Sequence, residues 1–124
     1  MKYALLLYFD PDRPAEQRSA TNPQIMADWI AYTRAIKHSG ALLDAQQLHE
    51  VDTATAVRRR DGELMLTDGP FAETKEHLLG FYLIDVPDLD TALDWAGKMP
   101  HVGRGTVEVR PVMEGMAWQA VLNE

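Results

Sequence analysis

Apolar residues fall at both odd and even positions of "KYALLLYF", Lys2 to Phe9. Strand side chains alternate between two faces, so this run carries apolar surface on both and belongs in the middle of a sheet. "GFYLIDV", Gly80 to Val86, has the same two-sided character. Asn22-Pro23 joins a capping side chain to a proline suited to the first helical turn. Ile25, Trp29, Tyr32 and Ile36 then recur at helical spacing up to Gly40, which predicts a helix over 23–39. "ALLDAQQL" follows as a strand with a bend at Asp44 to Gln47.

In "TATAVRRRDGELMLTDG" two extended runs flank Asp61-Gly62, a dipeptide that favours a two-residue hairpin turn. That register sets Arg60 opposite Glu63 and Arg58 opposite Met65. Asp88 caps a short helix whose Leu89, Ala92, Leu93, Ala96 and Met99 form one stripe, closed by Pro100. "TVEVRPV" alternates, with Val107 and Val109 on one face and Thr106, Glu108 and Arg110 on the other. Residues 10–21, with two prolines and many polar positions, read as a loop.

The order strand, helix, strand, hairpin, strand, helix, strand predicts an α+β domain over 1–112, a ferredoxin-like split βαβ unit with an additional β-hairpin. Residues 113–124 form a C-terminal tail in which Trp118 points to docking. Two helices cover only one face of such a sheet. A buried large apolar side chain contributes roughly 1.5–3 kcal/mol, so the second face needs cover, and a second copy packed face to face supplies it as a dimeric α+β barrel. A homodimer is therefore expected.

A chain of 124 residues can bury a single core, and 46% hydrophobic with 25% charged residues excludes wholesale disorder. A net charge of −7 disfavours nucleic acid and anionic membrane as partners. The one basic run, Arg58 to Arg60, lies in the hairpin with alternate side chains on opposite faces. Cysteine is absent, so disulfides, thiolate metal sites and a cysteine nucleophile are excluded, and the expected location is cytoplasmic. The apolar start is too short and too quickly followed by charge to read as a signal segment. His38, His49, His77 and His101 show no i, i+4 pair, no cofactor-binding motif occurs, and the chain is expected to need neither metal nor cofactor. His49 and His77 remain proton carriers in reserve, each equally suited to the surface.

The densest chemistry lies in "TDGPFAETKE", Thr67 to Glu76. Gly69 permits unusual backbone angles, Pro70 stiffens the turn and Phe71 is expected to anchor it in the core. A carboxylate on a rigid turn suits general-base work, which makes Asp68 the candidate base and Lys75 and Glu76 its catalytic partners. Asp68 equally suits capping the turn through backbone N–H groups, and Lys75 with Glu76 equally suits a solvated pair. Candidate ligand contacts are Arg110, Thr74, Tyr8 and Asp44. Arg110 is expected to face the barrel interior, paired with Glu108, Asp68 or Asp85 or holding an anionic ligand by its planar fork.

The segments "DGPFAETKE", "GFYLIDVPDLDTALDWA" and "VEVRPV", with "KYALLLYF" and "TATAVRRRDGELMLTDGPF", together resemble the YCII-related family, and within it the DGPF-domain branch, from Lys2 to Val112. The resemblance implies a ferredoxin-like α+β fold, dimerisation and a small-molecule site without an established substrate. It also implies, for the wider superfamily, a histidine on the first helix paired with an aspartate near the next strand. Here Trp29, beside Asp28, stands where that histidine is expected, while Asp44 lies in the region of the aspartate, so the DGPF segment becomes the expected site. DGPF-type proteins further resemble accessory proteins of sigma-factor systems, which implies a protein partner. Three functions stay open: a cofactor-free acid/base enzyme for a small anionic metabolite, a non-catalytic ligand-binding or regulatory dimer, and a structural clasp.

Overall fold

The structure is a computed structural model that describes residues 1–18 and 20–124. Ser19, within the predicted 10–21 loop, lies outside the described residues. Among the described residues, six strands and two α-helices follow one another as β1 (Lys2–Phe9), α1 (Pro23–His38), β2 (Leu42–Gln47), β3 (Thr55–Arg60), β4 (Glu63–Asp68), β5 (His77–Asp85), α2 (Leu89–Gly97) and β6 (Gly105–Pro111). Short 3-10 turns occupy Ala15–Gln17, Val51–Thr53 and Ala117–Asn123. Among the described residues no helix is long and apolar enough to cross a membrane.

The fold is α+β. Four strands pair antiparallel in the order β2-β5-β1-β6, and β3 and β4 form a separate two-stranded sheet. The four-stranded sheet is open, with β2 and β6 at its edges; the single chain closes no barrel. The two runs with apolar residues on both faces, β1 and β5, are its two central strands. On one face Tyr3, Leu5, Leu7 and Ile84 pack with Tyr32 and Ile36 of α1 and with Ala92 and Ala96 of α2. Val107 and Val109 join this cluster from β6, as their alternation requires. On the other face Leu6, Tyr8, Phe81 and Leu83 are only half-buried.

Local chemistry explains the element ends. Asn22 Oδ1 accepts from the Gln24 N–H at 3.0 Å with Pro23 in the first turn of α1, and Asp88 Oδ1 accepts from the Thr91 N–H at 2.9 Å to start α2. The hairpin turns on Asp61 at φ 52° and Gly62 at φ 81°, and its register matches the expectation: Arg60 faces Glu63 and Arg58 faces Met65.

Four expectations need correction. Helix α2 buries Ala92 and Ala96, followed by Met99, while Leu89 and Leu93 are exposed. Small residues let this short helix lie close to the sheet, and the two leucines, one turn apart, fall on its outer flank. The bend in β2 comes earlier than Asp44: Leu43 is an extra residue between Leu42 and Asp44, which pair with Ile84 and Leu83. Phe71 does not reach the core. It is 73% exposed, with the Arg58 guanidinium 5.0 Å above its ring. Trp118 in the tail is exposed rather than docked.

Candidate functional site

A cavity of about 400 Å³ opens on the helix-covered side of the sheet, between the start of α1, the end of β2 and the loop after β1. Strand β5 contributes through a bulge: Leu7 pairs with Gly80 and Tyr8 with Leu78, so the extra residue, Leu79, is turned into the cavity lining. Trp29 of α1 forms an aromatic wall. Its ring lies 6.1 Å from that of Tyr82 at 26°, and 6.5 Å from the imidazole of His101 at 33°. Phe9 packs on the same imidazole at 3.9 Å.

The electrostatics of the cavity oppose those of the chain. Arg13, Arg18 and Arg104 line it against the single carboxylate of Glu50, although the whole protein carries −7. Arg13 leaves the loop after β1 with its guanidinium 4.6 Å above the Phe9 ring. Its Nη1 donates to the Asp10 carbonyl at 3.2 Å and its Nη2 to Glu50 Oε1 at 3.4 Å. The side chain is only 8% exposed, and Nε is buried without a partner. Arg18 reaches the same Glu50 carboxylate at 3.8 Å, and Arg104 Nη1 donates to the Pro100 carbonyl at 2.6 Å. Local bonds thus hold three cations in a space where one carboxylate answers them.

His101 follows α2 and is 1% exposed. Its Nε2 lies 2.6 Å from the Tyr8 carbonyl oxygen. A carbonyl can only accept, so the neutral ring carries its proton on Nε2 and presents Nδ1 as a lone-pair acceptor. Nδ1 is buried and has no hydrogen-bond partner. Burial holds the His101 pKa below the ordinary 6.5; the carbonyls of Tyr8 and Thr106 and the carboxylate of Glu76 act upward, and Arg13 acts downward.

This depression fixes the sign of a pH effect. The folded chain favours neutral His101, so the unfolded chain takes up the proton first as pH falls. The stability associated with His101 is complete above 6.5 and is lost as pH drops through the lower folded value. Thermal melts across that range should show the loss in the parent protein, and the step should shrink in His101→Gln, which has nothing to titrate there.

The residues singled out from sequence lie largely elsewhere. None of the seven lines the cavity. Asp68 ends β4 and is exposed, and Gly69 beyond it takes φ 94° while its N–H donates to the Ala54 carbonyl at 2.7 Å. Thr74 is exposed and its hydroxyl donates to the Glu76 carbonyl; Lys75 is exposed. Asp44 accepts from its neighbour's N–H, at Ala45, and from Gln46 Nε2. Arg110 donates to Glu108 Oε1 at 2.7 Å with its side chain 64% exposed, so of the named pairings Glu108 is the one present within the chain. Two of the seven do approach the cavity's histidine: Tyr8 through its carbonyl and Glu76 through its charge.

Trp29 and Asp28 were visible in sequence as the pair standing where a family histidine is expected. Arg13 and His101 were not; a buried arginine in a polar loop and a histidine after a helix have no local pattern. Among the described residues no group of three or more His, Asp or Glu is placed to hold a metal ion.

The open antiparallel sheet under two helices, with a basic, aromatic-walled cavity at one end, defines a small α+β protein with a concave candidate site. The chain belongs to the YCII-related domain family, which matches residues 1–116. An uncharacterized protein of Rhizobium meliloti (strain 1021) is 40% identical over 114 residues, spanning 90% of this chain and 92% of that relative.

Proposed function

We propose that this protein is a cofactor-free acid/base enzyme for a small anionic metabolite, with its chemistry in the cavity beside His101. The observation that carries this reading is the pairing of a buried, neutral imidazole with three arginines in one concave space. Arginine forks suit a carboxylate or a developing oxyanion, and an imidazole with an uncommitted lone pair suits proton removal at neutral pH. Glu76 acts on His101 from the loop, favouring its protonated form once the proton has moved. Asp68, Lys75 and Thr74 lie outside the lining, and in this reading the DGPF turn is structural.

The strand order β2-β5-β1-β6 with both helices on one face supports the ferredoxin-like reading. The dimer is supported by two uncovered apolar surfaces. One is the half-buried sheet face of Leu6, Tyr8, Phe81 and Leu83. The other is the β3-β4 ribbon, where Val57, Leu64 and Leu66 are exposed; an isolated two-stranded ribbon is marginal in water. The same surfaces favour the second reading, a ligand-binding or regulatory dimer without turnover that meets a protein partner.

Native mass spectrometry tests both parts at once. The protein, purified gently and offered a mixture of small carboxylic acids, should appear at twice the chain mass with a small acid retained. A ligand-free protomer at micromolar concentration contradicts the reading.

A further inference from the structure

We infer that the cavity takes its ligand body-first: an apolar body lies on the floor beside Trp29, and a single ionised group stays at the mouth with Arg18 and Arg104. The inference rests on the reading of this cavity as a site for a small acid and adds the class of that acid, an amphiphile with one charged end.

Burial grades the lining by depth. Leu7, Ile25 and Leu79 are each 5% exposed and form the floor with Gly80 and His101. Phe9, Trp29 and Tyr82 are half-buried and make the walls, while Leu48, His49 and Glu50 are exposed at the rim. Apolar surface is thus gathered inside and charge outside.

The floor has nothing to hold an anion. Its one polar side chain is His101, whose Nε2–H is committed to the Tyr8 carbonyl and whose Nδ1 is a sealed lone pair that cannot donate. A carboxylate brought there would give up its water and gain no side-chain donor in return, which is a costly exchange. A hydrocarbon body gives up only its unfavourable hydration.

The mouth offers what the floor lacks, through two of the three arginines. Arg13 is spent: its side chain is 8% exposed, its Nη groups are taken by the Asp10 carbonyl and by Glu50, and its Nε is sealed from solvent. Pairing with Glu50 offsets its charge as well. The Arg18 side chain is 36% exposed and meets Glu50 only loosely, at 3.8 Å, with Nη2 at 3.5 Å from the Pro11 carbonyl. Half-buried Arg104 commits Nη1 to the Pro100 carbonyl at 2.6 Å, which steadies the guanidinium and leaves Nη2 and Nε without a partner among the described residues. An anion at these two forks finds donors while it keeps part of its water.

Calorimetric titration of the full chain with acetate, butanoate, hexanoate and hexanedioate tests both parts. Affinity should rise about threefold to fourfold per methylene from acetate to hexanoate, the equivalent of burying one CH₂ group. Hexanedioate has the same number of carbons as hexanoate but carries a second carboxylate to the floor, and should bind at least about tenfold more weakly. Arg18→Gln and Arg104→Gln should each weaken all three monoacids by a common factor and leave the dependence on length unchanged. Trp29→Ala should flatten that dependence and leave acetate nearly unchanged. If Trp29→Ala does not fold, the comparison of hexanoate with hexanedioate in the parent decides the orientation without it. Equal affinity of acetate and hexanoate, or hexanedioate bound as tightly as hexanoate, overturns the inference while leaving an anion site in place. Failure of every acid to bind overturns the inference and the reading of the cavity together.

Discussion

Gly105→Ala should lower stability by about 3 kcal/mol, at the upper end for overpacking by one methyl group, and should dislodge His101 from its seat. The reason is space, not backbone freedom. A methyl group at Gly105 would overlap Cε1 and Nε2 of His101 and the carbonyl oxygen of Tyr8, the atoms that make the hydrogen bond fixing the ring. The carbonyl cannot retreat cheaply: Tyr8 lies in β1, paired with Thr106 of β6 on one side and Leu78 of β5 on the other. The imidazole must move instead, into a cavity wall already occupied by Phe9 and Trp29. Urea denaturation reads the stability, and binding of a small carboxylate reads the site. A variant as stable as the parent, with ligand binding intact, would show that the ring is not held as described.

The second large effect is on chemistry. His101→Gln should reduce turnover of a small carboxylate by about 10²–10⁴-fold, the range typical for loss of a positioned acid/base group. Gln can still donate to the Tyr8 carbonyl, so the fold should persist and KM should change far less than kcat. Asp68→Asn supplies the contrast. Asp68 is exposed at the end of β4 and outside the cavity lining. A severe loss in Asp68→Asn, alongside near-normal turnover in His101→Gln, would return the chemistry to the DGPF loop.

Features written in short stretches of chain were legible in the sequence. Asp61-Gly62 fixed a register that holds pair by pair, because a two-residue turn leaves little choice. Asn22-Pro23 marked a helix start that needs only neighbouring atoms. The two-sided apolar character of β1 and β5 placed them at the centre of the sheet, since only central strands meet side chains above and below. The alternation of β6 put Val107 and Val109 on one face, and that face packs against the core.

The site was not legible, for an equally physical reason. His101 meets the carbonyl of a residue 93 positions away, and no local pattern encodes that meeting. Arg13 sits among prolines and charges, a composition that reads as solvated, yet Phe9 below and Glu50 beside it bury the side chain. Conversely, "TDGPFAETKE" drew notice by its density of ionisable groups, most of which the structure leaves in solvent. Phe71 failed as an anchor because its turn follows β4, where the chain leaves a two-stranded ribbon that is separate from the four-stranded sheet. Trp29 is one of the apolar positions that recur at helical spacing along α1. It does pack on Tyr32 and Tyr82, but its remaining surface forms the cavity wall.

The central claim is that His101 stands in the folded chain as a buried neutral base with Nδ1 uncommitted. Long-range proton–nitrogen NMR of the histidine side chains, followed through a pH titration with and without a small carboxylate, tests it most directly. The account predicts the Nε2-protonated tautomer, protonation only below the ordinary 6.5, and a change in the ring's signals when the carboxylate enters the cavity beside it. A ring protonated on Nδ1, or one that titrates above 6.5 and responds to no carboxylate, would contradict it.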